Sequence, residues 1–343
     1  MPKTHSDLWN KITSFENLYD AYLKARRGKR YRSDVLIFSA NLEENLLKIQ
    51  KQLLNKTYRP KTYKQFYVYD PKKRLIQAPM FEDRIVHHAL VNVIEPLFER
   101  KFIYDSYACR KGKGVHKAVL RLQKFQRIAK RNYEKVYVLK ADISSYFPSI
   151  DRKILLDVIK RTIRDKNALW LCERIVFDSS EPKSIPIGSL TSQLFANVYL
   201  NELDHYIKDT LGIRFYLRYM DDFVLLYDDK KKLHQLLDKI ETFLKDRLNL
   251  KLNPKTAIFP LHRGVDFAGY RTWPTHILPR KRTIKRAKKR FKKFAALYRE
   301  GKLELEYIKA SLISFLGYVK HCNSYRTTRS VLERLVLLPP ENC

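Results

Sequence analysis

Three carboxylates carry the first chemical signal. Val136-Tyr137-Val138-Leu139 is β-branched and apolar and delivers Asp142 at its end. Two apolar, aromatic runs, Ile213 to Leu217 and Phe223 to Tyr227, flank Arg218-Tyr219-Met220-Asp221-Asp222. The spacing predicts a strand that ends in one acid and a β-hairpin with two acids at its tip. Carboxylates brought close together repel one another unless a cation intervenes. Oxygen-only ligands favour Mg²⁺, and two such ions about 3.5–4 Å apart activate an attacking hydroxyl and stabilise the leaving oxygen in phosphoryl transfer. Each acid also has a plainer reading, a helix cap for Asp142 and a polar turn for the Asp-Asp pair. Asp228-Asp229, just before Lys230, is such a turn, whereas Asp221-Asp222 has apolar residues close on both sides.

The charge balance names the partner of that chemistry. Of 343 residues 69 are Lys or Arg and 36 are Asp or Glu, a formal charge of +33 that requires an anionic partner. Between Arg280 and Lys293 ten of fourteen residues are basic and none is acidic, while Ile284, Ala287, Phe291 and Phe294 recur near a 3.6 period. An amphipathic helix follows, with one core stripe and a basic face that tracks a nucleic-acid backbone. Smaller basic groups lie at Lys24 to Arg32 and at Arg110, Lys111, Lys113 and Lys117 around Gly112 and Gly114. With 45% hydrophobic residues the chain can bury a sizeable core, which excludes global disorder. Cys109, Cys172, Cys322 and Cys343 form no CxxC pair for zinc. Met1 to Asn10 is polar, and no window approaches the roughly 18 apolar residues of a membrane span. The expectation is a soluble, cytoplasmic protein with no membrane partner.

The elements that must hold the acids follow from periodicity. Helical patterns run through Asn41 to Leu54, Phe81 to Phe98, Val115 to Asn132, Ile150 to Ile163, Thr191 to Leu211 and Lys231 to Leu248. Thr57 to Tyr69 reads as extended, and Asp70-Pro71 as a turn with Lys72, Lys73 and Arg74 at its edge. Short strands are expected around Ala257-Ile258-Phe259 and within Val265 to Arg271. The order gives a mixed α+β sheet with a basic helical tail.

In this arrangement the sequence resembles the reverse transcriptases, from about Asn41 to Lys293. The resemblance rests on Lys140-Ala141-Asp142-Ile143-Ser144-Ser145-Tyr146-Phe147, Ile187-Gly188-Ser189-Leu190-Thr191-Ser192-Gln193, Tyr219-Met220-Asp221-Asp222, Leu252-Asn253-Pro254-Lys255-Thr256 and Phe267-Ala268-Gly269-Tyr270, in that order. It implies an α+β right-hand polymerase: a basic N-terminal extension over 1–40, fingers with part of the palm over 41–135, palm over 136–278 and a basic helical thumb over 279–343. Asp142, Asp221 and Asp222 would be the catalytic acids. Together with the Ile143 carbonyl they would hold two Mg²⁺ ions, with Mn²⁺ a substitute. Arg74, Ser145, Tyr146, Phe147, Ile187, Gly188 and Lys255 would contact the incoming dNTP, Phe147 excluding a 2′-hydroxyl. Arg282, Lys285, Arg286 and Lys289 would bind the template RNA and RNA/DNA hybrid.

One departure points to a subclass. Many reverse transcriptases carry Gln-Gly and end that block in Ser-Pro, whereas this chain has Ile187-Gly188 and Ser192-Gln193. That form looks like the enzymes of diversity-generating retroelements, bacterial and phage systems that mutagenise at template adenines and use a small basic oligomeric accessory protein. Removing an amide that can hydrogen-bond near the nucleotide removes a polar check on pairing, so lowered fidelity is expected. The alternatives are a retron or group II intron-like reverse transcriptase of ordinary fidelity, and a non-catalytic RNA-binding protein on a polymerase scaffold.

Overall fold

A computed structural model describes residues 5–69, 73–177 and 182–338. Its first elements are α1 (Trp9–Thr13), α2 (Phe15–Ala25), α3 (Ser33–Ala40), α4 (Leu42–Leu54), β1 (Lys64–Val68), β2 (Arg74–Ala78), α5 (Phe81–Glu99) and α6 (Val115–Asn132). There follow β3 (Tyr137–Asp142), α7 (Tyr146–Ser149), α8 (Arg152–Lys160), α9 (Lys166–Val176), α10 (Leu190–His205), β4 (Tyr216–Tyr219), β5 (Asp222–Tyr227) and α11 (Lys230–Leu248). The chain ends with β6 (Ala257–Pro260), β7 (Val265–Phe267), β8 (Tyr270–Thr272), β9 (Ile277–Pro279), α12 (Lys281–Arg299), α13 (Leu305–Val319) and α14 (Tyr325–Leu332). The class is α+β. The expected Asp70-Pro71 turn, with Lys72, lies outside the described residues, as does Cys343.

Two compact units share the chain. One comprises Met1–Arg110, Asp142–Arg214 and Leu236–Lys255, the other Lys111–Ala141, Phe215–Gln235 and Thr256–Cys343. Both are assembled from separated stretches.

The first unit is built around α5, whose Ile85, Val86, Ala89, Leu90 and Ile94 are buried beneath α2 and α10. Ile12, Leu18, Ala21 and Tyr22 are also buried, so the N-terminal segment adds core as well as charge. Asp165 ties that segment down: its carboxylate accepts from the Leu8 and Trp9 amides, both at 2.8 Å, and caps α9 through Asn167 and Ala168. Burial alone would raise its pKa, but these four backbone donors hold it below the usual carboxylate value. The ribbon β1–β2 is antiparallel, with Lys64 opposite Ala78 and Val68 opposite Arg74. Every residue of β1 is exposed, and a lone two-stranded ribbon is only marginally stable. The Gln77 amide, donating to the Ile187 carbonyl at 2.8 Å, fastens the ribbon to this unit.

In the second unit β4-β5-β3-β6 form a four-stranded sheet, and β7-β8-β9 form a second sheet. Helix α6 covers β4, β5 and β8 through buried Ala118, Val119, Leu122 and Phe125. The C-terminal helices share a separate cluster of Ile284, Ala287, Phe291, Phe294, Ile308, Phe315, Val319 and Val331. Sequence periodicity caught the first of these helices. The other two complete the apolar face that α12 cannot bury alone. Among the described residues no helix is long and apolar enough to cross a membrane.

Candidate active site

Asp142 closes strand β3, and the segment after α11 clamps it. The Asn253 amide donates to the Asp142 carbonyl at 2.7 Å, and Asn253 Nδ2 donates to Asp142 Oδ2 at 3.2 Å. Ile143 forms an antiparallel bridge with Leu252, and the Ser144 amide donates to the Lys251 carbonyl at 2.9 Å. The Asp142 side chain is half-buried with its direction set by neutral partners, and Oδ1 has no hydrogen-bond partner among the described residues. It caps no helix: α7 has Ser145 at its cap position, in the left-handed region at φ 46° and ψ 49°. A non-glycine residue held there stores backbone strain of about 1–3 kcal/mol, a cost usually kept where a side chain must be aimed.

Beyond that strained residue, the Tyr146 side chain is buried at 3% exposure and its hydroxyl donates to the Ala196 carbonyl at 2.5 Å. Tyr146 therefore anchors α7 inward. Phe147 is half-buried, with its ring edge-on to Tyr146 at 5.6 Å.

Gly188 is where the ribbon meets the next motif. At φ 125°, a Cβ there would stand 3.0 Å from Ile76 Cγ2 and 3.1 Å from the Gln77 carbonyl oxygen. Close backbone approach, in a conformation L side chains rarely adopt, requires glycine. Below it Ser189 Oγ meets His87 Nδ1 at 2.9 Å and Thr191 Oγ1 at 2.7 Å, all buried. Burial pushes the His87 pKa down to about 3, with His88 adding to the shift, so the imidazole is neutral. Ile187 is half-buried, while Arg74, Ser145, Gly188 and Lys255 are exposed.

The other acids belong to the second unit. Tyr219 pairs with Asp222, so the hairpin turn is Met220-Asp221 and Asp222 is the first residue of β5 rather than part of the tip. Met220 takes φ 56°, a place usually filled by glycine, and its carbonyl accepts from the fully buried Arg218 at 2.9 Å. Asp222 forms an ion pair with Lys140 of β3, both side chains about one-fifth exposed. Phe267-Ala268-Gly269-Tyr270 forms the turn from β7 to β8. There Tyr318 Oη donates to the Gly269 carbonyl at 2.7 Å and Tyr270 Oη donates to the Tyr318 carbonyl at 2.8 Å.

The donor set expected for metal is made of hard oxygens, the kind Mg²⁺ prefers. The unpartnered Asp142 Oδ1 fits that role, while Asp222 is engaged by a lysine. Among the described residues no group of three or more His, Cys, Asp or Glu side chains stands ready to hold an ion. Arg282, Lys285, Arg286 and Lys289 are exposed on α12, opposite its buried Ile284, Ala287, Phe291 and Phe294.

The smaller basic groups are partly structural. Arg110 is bidentate to Glu99 and donates to the Ile103 and Ser106 carbonyls at 2.7 and 2.8 Å. Arg26 stacks on Tyr22 and Lys24 pairs with Asp20. Sequence reasoning quoted Asn253 and Lys140 within motifs without giving either a role. For Lys140 the available signal was a basic residue at the end of the apolar run Val136 to Leu139, whereas Asn253, among Lys251, Pro254, Lys255 and Thr256, gave none.

Residues 60–318 match the family model described as reverse transcriptase (RNA-dependent DNA polymerase). The protein YkfC of Escherichia coli K12 is 26% identical over 278 residues, 68% of this chain and 73% of that protein. The group II intron-encoded protein LtrA of Lactococcus lactis subsp. cremoris is 24% identical over 234 residues, 64% of this chain but 38% of that protein. Among solved structures, telomerase from Candida albicans in complex with a fragment of telomeric RNA matches with a TM-score of 0.49 and 14% identity, over 87% of this chain and 60% of that one.

Proposed function

The chain belongs to the reverse transcriptases, the RNA-directed DNA polymerases, and we propose that it copies a retroelement template RNA into cDNA using Asp142, Asp221 and Asp222 as one catalytic centre. The observation that carries this reading is the clamp on Asp142, which aims a carboxylate with an unpartnered oxygen from the end of a strand. Within the second unit β3 lies beside β5, which starts at Asp222. In the reaction the primer 3′-hydroxyl gives up its proton to water, its oxygen forms a new bond to the α-phosphorus of a dNTP, and the bond from that phosphorus to the α,β-bridging oxygen breaks, so that pyrophosphate leaves.

Members of this family use divalent metal ions, and Mg²⁺ is the ion that Asp142, Asp221, Asp222 and the Ile143 carbonyl would hold. When bound, two ions supply activation of the primer hydroxyl and charge stabilisation at the leaving oxygen. Lys140 balances Asp222 in the meantime and limits its repulsion with Asp221. Arg74 and Lys255, both exposed, would grip the triphosphate. Phe147 would bar a 2′-hydroxyl, on a backbone set by Ser145 and Tyr146. The ribbon would act as fingers, the sheet as palm, and α12 as the thumb face that binds the template and its RNA/DNA hybrid through Arg282, Lys285, Arg286 and Lys289.

The finer reading is error-prone copying at template adenines, as in diversity-generating retroelements, with a small basic oligomeric accessory protein as partner. Its support is Ile187, an aliphatic side chain where an amide would supply a hydrogen bond, set beside Gly188 against the ribbon. A second reading, a group II intron-like enzyme of ordinary fidelity, draws on the likeness to LtrA. The deciding experiment is sequencing cDNA made by the purified protein on a defined RNA template with Mg²⁺, beside Asp221→Asn. Product that depends on Asp221, with errors concentrated at adenines and reduced by Ile187→Gln, supports the finer reading. An even error spectrum favours the intron-like one, and product that persists in Asp221→Asn overturns the catalytic assignment.

A further inference from the structure

Away from the acids, the second unit contains a cavity of about 520 Å³ at the opposite end of β3. The register Tyr137 to Pro260 puts both residues at this end, while Lys140 and its partner Asp222 stand roughly 10 Å further along the strand. Half-buried Tyr137, Pro260 and Trp273 give an apolar and aromatic floor; exposed Lys130, Lys135 and His262 stand on the rim, with Glu134 the one acid among the lining residues.

This floor is built in advance of any ligand. Gln123 Nε2 and Arg127 Nε, both from α6, donate to the carbonyls of Trp273 and Pro274 at 3.2 and 2.7 Å. The Trp273 indole N–H donates to the His262 carbonyl at 3.1 Å, and its ring stacks on His276 with centroids 4.6 Å apart and planes 15° apart. A Cβ at Gly264 would lie 2.4 Å from that indole, so glycine there lets the tryptophan sit where it does. A rigid apolar floor with a few convergent polar groups is the usual form of a ligand site, and the volume falls in the usual range of about 300–1,000 Å³.

We propose that this cavity binds a nucleotide, its base against Tyr137 and Trp273 and its phosphate at Lys130 and Lys135. The flat base matches the aromatic floor, and charge-assisted hydrogen bonds from two lysines match a phosphate better than a neutral group. The same chemistry is offered by a free nucleotide and by an unpaired residue of a bound RNA. The site is separate from the acids, so it holds without the assignment of the catalytic centre.

Two photoreactive probes test it on the full chain: 8-azidoadenosine 5′-monophosphate, and a pentaribonucleotide carrying the same base. Labelled peptides are mapped for wild type and for Lys130→Glu/Lys135→Glu, both exposed positions, and each protein is assayed for extension of a pre-annealed primer. The expected result is labelling within 134–137 or 273–275, reduced about tenfold or more in the double variant, with extension within twofold of wild type. Labelling by the monophosphate alone identifies a free nucleotide as the occupant; labelling by the RNA identifies an unpaired RNA residue. No labelling in either segment, or labelling unchanged by the double variant, overturns the proposal. Wild-type extension is read independently, so loss of polymerase function is distinguished from loss of this site.

Discussion

Asp142 in the first unit and Asp222 in the second are held by different physics. Asp142 is oriented by neutral hydrogen bonds from Asn253, to its carboxylate at 3.2 Å and to its own carbonyl at 2.7 Å. Asp222 is oriented by the Lys140 ammonium. A neutral clamp fixes direction and leaves the full negative charge for an incoming cation. A lysine fixes direction by balancing that charge, which lowers the cost of keeping Asp222 next to Asp221 but must be offset by any cation that takes its place. One acid is therefore held by neutral groups alone, and the other by a counter-charge.

The largest expected effect separates them. Asp142→Asn retains an oxygen that can accept from Asn253, so the fold should stay intact while primer extension falls by roughly a thousandfold or more, the same loss expected for Asp221→Asn. Asp222→Asn costs less, because Lys140 already neutralises that position. Single-turnover incorporation with matched urea midpoints measures all three, and equal losses at 142 and 222 would mean that the lysine does not gate the second acid.

Next in size is a steric test within the first unit, where the ribbon meets Gly188. Gly188→Ala sets a Cβ 3.0 Å from Ile76 Cγ2 in a left-handed conformation, whereas Gly112 at φ 70° has nothing within 4 Å. Gly188→Ala should cost about 1–3 kcal/mol and depress incorporation, and Gly112→Ala about 1 kcal/mol with incorporation unchanged. Thermal unfolding and extension rates read both. Equal behaviour would show that the ribbon yields where it meets Ile187.

A smaller effect concerns the metal requirement. Lys140→Met frees Asp222 from its counter-charge, so the Mg²⁺ concentration for half-maximal extension should fall about three- to tenfold. Asn253→Ala should leave that concentration in place and lower the maximal rate, since it loosens aim without changing charge. A metal titration of the two variants is the measurement, and a shift in the asparagine variant equal to that in the lysine variant would erase the distinction.

These partnerships mark the boundary of what the sequence revealed. Helix α6 occupies Val115–Asn132 as its periodicity indicates, and α5 ends within one residue of the expected Phe98, because a 3.6 repeat is local information. Asp229 caps α11 by accepting from the Lys231 amide at 2.7 Å, the plain turn role that its polar surroundings suggested. The carboxylates were legible because a single strand or turn delivers each one. Asn253 meeting Asp142 and Lys140 meeting Asp222 depend on pairings between distant stretches that no window contains. Likewise α9, α13 and α14, and the π-helical turn Tyr206–Thr210 that continues α10, owe their form to tertiary packing more than to local pattern.

The smallest expected effect asks whether the neutral half fails when a proton forces charge into it. His87 sits fully buried under the Ile187-Gly188 segment, its Nδ1 on Ser189, with a pKa pushed down to about 3 by desolvation and by His88. In the unfolded chain an imidazole titrates near 6.5, so between about pH 6.5 and 3 the unfolded state binds more protons than the native one. Stability must then rise with pH through that window and be lost as pH falls. The His87 share is about 0.7 kcal/mol between pH 7 and 6 and approaches about 1.4 kcal/mol per unit below that. His88, lowered to about 4 by burial and then by Lys24 and Lys29, adds a share of the same sign. His87→Gln keeps an amide within reach of Ser189 and removes only the first share. Urea midpoints of wild type and variant, compared from pH 7 to 5, should diverge with wild type losing more. Parallel curves would mean that the imidazole gains access to solvent before the unit unfolds, and that the segment carrying Ile187 is looser than its hydrogen bonds suggest.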